Sequence, residues 1–159
     1  MQLTRFTDLG IRAMMLLAAG ESADQRVTTR TIAAGAGASD NHIAKAVARL
    51  VELGMVNAKR GRVGGLTLTD AGRNASVGWL VRQLEGDREV IDCAGDSPCP
   101  LIVACRLRRA LADAKDAFYA SLDRYTVADL ARQPSVALIG LPQTVSMGLS
   151  QAAAPNSAQ

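Results

Sequence analysis

Residues 32–39 read Ile32-Ala33-Ala34-Gly35-Ala36-Gly37-Ala38-Ser39, and this stretch decides the fold. An Ile-Ala pair, three small residues and then Gly-Ala-Ser is the pattern of a helix-turn-helix. The alanines let two helices cross closely. Gly37 accepts the left-handed backbone of the turn, and Ser39 caps the helix that follows. Upstream, Thr28 or Thr29 can cap the first, short helix of the pair. Downstream, the second helix runs from Asp40 to about Leu53, with Ile43, Val47, Leu50 and Val51 as its buried stripe and Gly54 as its stop. Asn41, His42, Lys45 and Arg49 lie on its other side.

Two short strands follow, Val56-Asn57-Ala58-Lys59 and Leu66-Thr67-Leu68. The turn between them, Arg60-Gly61-Arg62-Val63-Gly64-Gly65, is basic and glycine-rich. A helix-turn-helix followed by such a hairpin is a winged helix, whose second helix enters the major groove of DNA. Lys45 and Arg49 suit phosphate or guanine, and Asn41 suits adenine. Arg60 and Arg62 on the wing can reach the minor groove or the backbone. The expected DNA contacts are Thr29, Ser39, Asn41, His42, Lys45, Arg49, Arg60 and Arg62. His42 is the sole histidine, far from the cysteines in sequence, and is read as a DNA contact rather than a metal ligand.

Charge points the same way. The chain has 159 residues and a formal net charge of +3. Residues 1–73 hold ten Lys/Arg against six Asp/Glu, whereas residues 74–159 hold eight against nine. The basic half is where a polyanion binds. The opening Met1-Gln2-Leu3-Thr4-Arg5 lacks the shape of a signal peptide, and no apolar run approaches the roughly 20 residues that span a membrane. The expected compartment is the cytoplasm, where thiols stay reduced. No acid–base or nucleophile constellation is present, so an enzyme is not expected.

Residues 4 to about 19 read as a first helix, with Phe6, Leu9, Ile11, Met14, Met15, Leu17 and Ala18 apolar. Arg5, Asp8 and Arg12 share a polar stripe, and Asp8 reads most simply as the ion-pair partner of Arg5 or Arg12. Gly20–Gln25 reads as a loop. After the wing, Thr69 or Asp70 starts a helix that carries Val77, Trp79, Leu80 and Leu84 towards Gly86. A further helix is expected from Leu101 to about Leu122. Its Leu107, Leu111, Ala114 and Phe118 recur at steps of four and three, a seam suited to a partner helix. Thr126 caps a short final helix ended by Pro134. Residues 141–159 are expected to be disordered. The chain is thus expected to be mainly α, with a winged-helix domain over 1–80, a ligand-binding loop and dimerisation helix over 81–140, and a tail over 141–159.

The remaining signal is Cys93, Cys99 and Cys105, the only cysteines in the chain, set at equal spacing. An odd count argues against a closed disulfide framework. Steps of six residues turn about 240° on a helix, so the three thiols cannot meet from one helix. In a loop broken by Gly95, Pro98 and Pro100 they can converge, with Cys105 on the first turn of the long helix, whose N-terminus favours thiolate. Three thiols are one short of the four ligands usual for tetrahedral zinc or a cubane cluster. The residues alone leave open an iron–sulfur cluster, zinc held by three thiolates and a carboxylate, or three unrelated cysteines.

The opening Leu3-Thr4-Arg5-Phe6-Thr7-Asp8-Leu9, the winged helix and the cysteine triad together resemble the NsrR family of nitric-oxide-sensing bacterial repressors, over residues 1 to about 140. The triad spacing is shared with the wider superfamily that includes IscR, a regulator of iron–sulfur cluster assembly. IscR-type chains have a histidine three residues after the third cysteine, where this chain has Arg108. The NsrR resemblance implies a homodimer with one iron–sulfur cluster per protomer, 4Fe–4S with 2Fe–2S as the alternative. Cys93, Cys99 and Cys105 of one chain would hold it, with Asp8 supplied by the partner chain. It implies an inverted-repeat operator in double-stranded DNA, released when nitric oxide nitrosylates the cluster. The runner-up readings are a general redox or iron–sulfur-status regulator and a zinc-stabilised winged-helix regulator.

Overall fold

The computed structural model describes residues 2–22, 24–61, 64–86 and 88–132. The tail expected over 141–159 and the stop expected at Pro134 lie outside the described residues. Among those described, seven helices and one two-stranded sheet follow in the order α1 (Arg5–Ser22), α2 (Thr29–Ala36), α3 (Asp40–Glu52), β1 (Val56–Lys59), β2 (Gly65–Leu68), α4 (Asp70–Asn74), α5 (Val77–Glu85), α6 (Arg106–Leu122) and α7 (Val127–Ala131). The fold is mainly α, with a winged helix at its N-terminal end.

The helix-turn-helix forms as its residues dictate. Thr28 caps α2 in a reciprocal capping box with Thr31. Gly37 takes φ +61°, and its N–H and that of Ala38 return to carbonyls of the last turn of α2. Ser39 caps α3. The strands pair antiparallel, with Val56 opposite Leu68 and Lys59 opposite Gly65.

α1 is the centre of the core. Ala13, Met14, Leu16 and Leu17 are buried and pack with Ile32 of α2, Ile43 and Leu50 of α3, Leu66 and Leu68 of β2, Leu80 of α5 and Val127 of α7. A smaller cluster of Val77, Val81 and Tyr119 joins α5 to α6, with Ile11 and Phe118 at its edge. Arg82 stacks on the Tyr119 ring at 4.3 Å.

Several expectations change. α1 continues to Ser22, so the loop begins later than Gly20. The stripe of α3 is Ile43, Ala46, Val47 and Leu50, while Val51 is exposed. The single helix expected over 69–86 is two helices. Ala75 is extended, its carbonyl accepts the Val127 N–H, and the Val77 N–H goes to Tyr125, so the α6–α7 connection captures the backbone at the break. Ser76 then recaps α5, and Trp79 faces outward. The long helix starts at Arg106, because residues 101–104 form turns closed by the N–H groups of Ile102 and Ala104 on Cys99 and Leu101. Cys105 is therefore the residue before α6 rather than part of its first turn.

Two outcomes are expected. A Cβ at Gly78 would sit 2.3 Å from the Tyr119 carbonyl. Gly78→Ala should therefore lower stability by about 1–3 kcal/mol, read as a lower urea midpoint at unchanged m. Asp129 completes the capping box of α7 with Thr126, and these hydrogen bonds hold its carboxyl below the ordinary 3.8. That contribution is present above pH 3.8 and is lost as pH falls through the depressed folded value. Thr126→Ala should cost about 1 kcal/mol near neutral pH. The difference between variant and parent in chemical denaturation should shrink below pH 3.8.

Candidate DNA interface and metal centre

α3 presents a polar stripe to solvent because Ile43, Ala46, Val47 and Leu50 turn the opposite face into the core. Asn41 and Lys45 are exposed, and Arg49, one turn further on, pairs with Glu52 at 3.1 Å. His42 is exposed, and its Nδ1 lies 2.8 Å from the Ser39 hydroxyl, which fixes the ring at the helix start. Thr29 is the first residue of α2 and is partly exposed. Arg60 is exposed at the start of the wing turn beside exposed Lys59, and Arg62 lies outside the described residues. The structure thus gathers Ser39, Asn41, His42, Lys45 and Arg49 on one helix, with Arg60 on the hairpin beyond. It adds Arg30 of α2, 89% exposed, 4.0 Å from Asp40 at the start of α3. A basic residue two positions before the Ile-Ala pair is the signal that marks it.

The three cysteines occupy one irregular segment between α5 and α6, and all are free thiols. Cys93 is buried, and its carbonyl accepts the Cys99 N–H at 3.0 Å, which folds the loop back on itself. Cys105 caps α6, its Sγ accepting the Arg108 N–H at 3.4 Å. Burial pushes the Cys93 thiol up, and Cys99, Glu89 and Cys105 push it further in the same direction while Arg108 opposes them. Among the described residues no group of three His, Cys, Asp or Glu side chains stands close enough to share a single metal ion.

Arg108 closes the loop over this centre. Its guanidinium meets both carboxylate oxygens of Glu89, and the Nε bond is 2.9 Å. That hydrogen bond is the main reason the Glu89 carboxyl lies below its ordinary range and the Arg108 guanidinium above its own. Lys115 Nζ adds a bond to the Arg88 carbonyl at 3.1 Å. The Glu89–Arg108 pair was not legible in the sequence, because nineteen residues separate its members and no local pattern relates them. The donor set fits a thiophilic iron–sulfur group: three soft sulfur ligands, a helix N-terminus and a guanidinium against negative charge.

The two ends of this loop, residues 89–91 and 102–105, frame with α6 an open cavity of about 810 Å³. Its wall includes Val90, Val103 and Leu111, with Arg106 and Arg109 beside them. Of the expected seam on α6, Leu107 (61% exposed) and Ala114 lie uncovered in the single chain, while Leu111 and Phe118 are half-buried; Val103, just before the helix, is 96% exposed. Asp8 sits in the first turn of α1 and accepts a 2.7 Å bond from Arg12 Nε. Within one chain it is an intrahelical ion pair, and the structure does not bring it together with the cysteines.

A family model described as an iron-dependent transcriptional regulator, Rrf2, matches residues 3–133. The chain belongs to the Rrf2 family. It is 58% identical over 142 residues to the HTH-type transcriptional repressor NsrR of Streptomyces coelicolor, covering 89% of this chain and 96% of that one. It is 36% identical over 132 residues to the HTH-type transcriptional regulator NsrR of Geobacillus kaustophilus, covering 82% of this chain and 89% of that one. Among solved structures it resembles T. potens IscR, with TM-score 0.64 and 25% identity over 82% of this chain and 85% of that one. Staphylococcus aureus CymR follows, with TM-score 0.62 and 25% identity over 82% and 98%. The NsrR resemblance read from Leu3–Leu9, the winged helix and the cysteine triad is thereby upheld. This Rrf2 chain is a regulator, not an enzyme.

Lys45→Ala and Asn41→Ala should fail differently. The lysine variant should weaken binding evenly across DNA sequences and reduce the salt slope by about one. The asparagine variant should relax selectivity at one base position, at a cost of about 1–3 kcal/mol there. Titration against duplexes at several salt concentrations separates the two.

Proposed function

We propose that this chain is a cytoplasmic, dimeric transcriptional repressor that releases its operator in response to nitric oxide. One α3 reads each half-site of an inverted repeat in double-stranded DNA, with the wing alongside. We assign DNA reading to residues 1–80 and ligand binding and dimerisation to residues 81–140. Cys93, Cys99 and Cys105 hold one iron–sulfur cluster per protomer, 4Fe–4S in this reading, and Asp8 of the partner subunit completes the ligand set. The observation that carries this reading is the gathering of three free thiols in a single loop, at the N-terminus of α6, in a chain that also carries a winged helix. The repressor names of the relatives support the DNA-binding part.

When bound, such a cluster supplies iron that reacts with nitric oxide. The chain does the rest. Cys105 joins the centre directly to the first residue of α6, the helix whose apolar seam pairs the protomers. Asp8 is an oxygen ligand among thiolates and the weakest of the set. Its bond to Arg12 is a surface ion pair, with side chains 52% and 37% exposed, and such pairs contribute only about 0–1 kcal/mol. Giving up that pair would therefore cost Asp8 little if it were to serve as a ligand to the partner's cluster. Loss of the Asp8 link would be felt through α1, which packs against α2, α3 and β2. A difference of about 2.7 kcal/mol in DNA affinity between the two states changes occupancy a hundredfold.

Anaerobic purification followed by absorption spectroscopy and native mass spectrometry tests the assignment. A brown protein with one cluster per chain is expected, losing DNA affinity on addition of nitric oxide. A colourless protein with stoichiometric zinc establishes the zinc-stabilised reading instead. Response to oxygen or redox poise with none to nitric oxide establishes the general redox regulator. Cys99→Ala should remove the visible iron–sulfur band. Asp8→Ala should leave a cluster that decays faster, and an unchanged lifetime and response would return Asp8 to its pair with Arg12.

A further inference from the structure

We propose that Glu21, at the C-terminal end of α1, is the positioning residue that sets the wing against DNA. The proposal rests on the DNA-reading assignment above. Glu21 Oε1 accepts the Leu68 N–H of β2 at 2.7 Å, and Oε2 lies 2.6 Å from the Arg73 guanidinium of α4. The second contact is an ion pair without hydrogen-bond alignment, and that oxygen is wholly buried. Losing Arg73 would leave that buried oxygen without its counter-charge, and losing Glu21 would leave the Leu68 amide without its acceptor.

Glu21 is one of three contacts in register. The Leu66 N–H goes to the Val27 carbonyl at 2.9 Å, and Arg26 Nε donates to the Gly64 carbonyl. Residues 64, 66 and 68 are alternate positions along one edge of the hairpin. The segment that leaves α1 therefore occupies the edge of β2 as a third strand would, and closes it to other partners. β1 holds the opposite edge through its own pairing. The wing turn that carries Arg60 is cantilevered from this base. Backbone bonds fix its plane, and the Glu21 carboxylate is the side-chain joint that ties that plane to α1 and α4 together. Neither partner is near Glu21 in sequence, the Leu68 amide lying 47 residues away.

The test uses the loaded full-length dimer and a duplex that the unsubstituted dimer selects from a random-sequence library. Glu21→Ala should weaken binding about tenfold and reduce the salt slope by about one, as Arg60→Ala should. The double variant should bind within about twofold of the weaker single one, because both act through one wing contact. A parental slope in Glu21→Ala, or losses that multiply in the double variant, overturns the proposal. Amide exchange gives a readout independent of DNA. The Leu68 amide should exchange faster in Glu21→Ala and remain protected in Glu21→Gln, which keeps an acceptor oxygen. Equal protection in all three proteins also overturns it. If Glu21→Ala fails to fold, Arg73→Ala takes its place. That variant should show the same direction of change in affinity and Leu68 exchange, and no change counts against the joint. Failure of the unsubstituted dimer to select any duplex would instead remove the DNA-reading assignment, while Leu68 exchange would still judge the joint.

Discussion

Everything in this molecule hangs on the burial of α1. Met14 and Leu17 are fully enclosed and Leu16 nearly so, and the helix contacts α2, α3, α5, α7 and β2. Interiors of this kind are close-packed, so a rigid helix held on many sides transmits displacement rather than absorbing it. The two ends of α1 carry the polar groups that matter. Asp8 lies near one end and Glu21 near the other, thirteen residues or about 20 Å apart at 1.5 Å per residue. One end faces the proposed metal chemistry and the other grips the wing.

The cysteine loop follows a different principle. It has little regular structure and few buried apolar groups, so its shape depends on a handful of polar contacts. The Cys99 to Cys93 backbone bond, the cap at Cys105 and the Glu89–Arg108 pair are three of them. Segments held in this manner open locally at low cost. That suits the proposed ligand loop, whose full set of donors would come from two chains, and it contrasts with the compact winged helix only a few residues upstream.

The sequence made the winged helix legible because its signals are local. Thr28, Ser39 and Gly37 act on their immediate neighbours, and the small residues between them leave little choice of packing. The same holds for Gly54 and the basic glycine-rich turn. The interruption at Ala75 was not legible, because the force that makes it comes from Tyr125 and Val127, some fifty residues along. The exposure of Val51 has a related cause. Periodicity finds an apolar face but not its edges, and Val51 stands at the margin of a buried stripe. In the candidate site, the three cysteines were visible from spacing alone. The loop geometry between them was not, since it depends on Glu89 meeting Arg108 across the loop. The role of Asp8 lies beyond a single chain altogether: local spacing pairs it with Arg12, as the structure does, and only the resemblance relates it to the thiols.

The helix starts hold one more consequence. Hydroxyl groups of Thr28, Ser39, Thr69, Ser76 and Thr126 cap five helices, and the Thr4 hydroxyl accepts the Thr7 N–H at the first turn of α1. At α6 the same office falls to the thiol of Cys105. Sulfur accepts hydrogen bonds weakly, and a chain selected for secondary structure alone has serine available at no steric penalty. An oxygen in that place would begin the helix equally well and bind a soft metal poorly, so one atom separates the architecture of this segment from its chemistry.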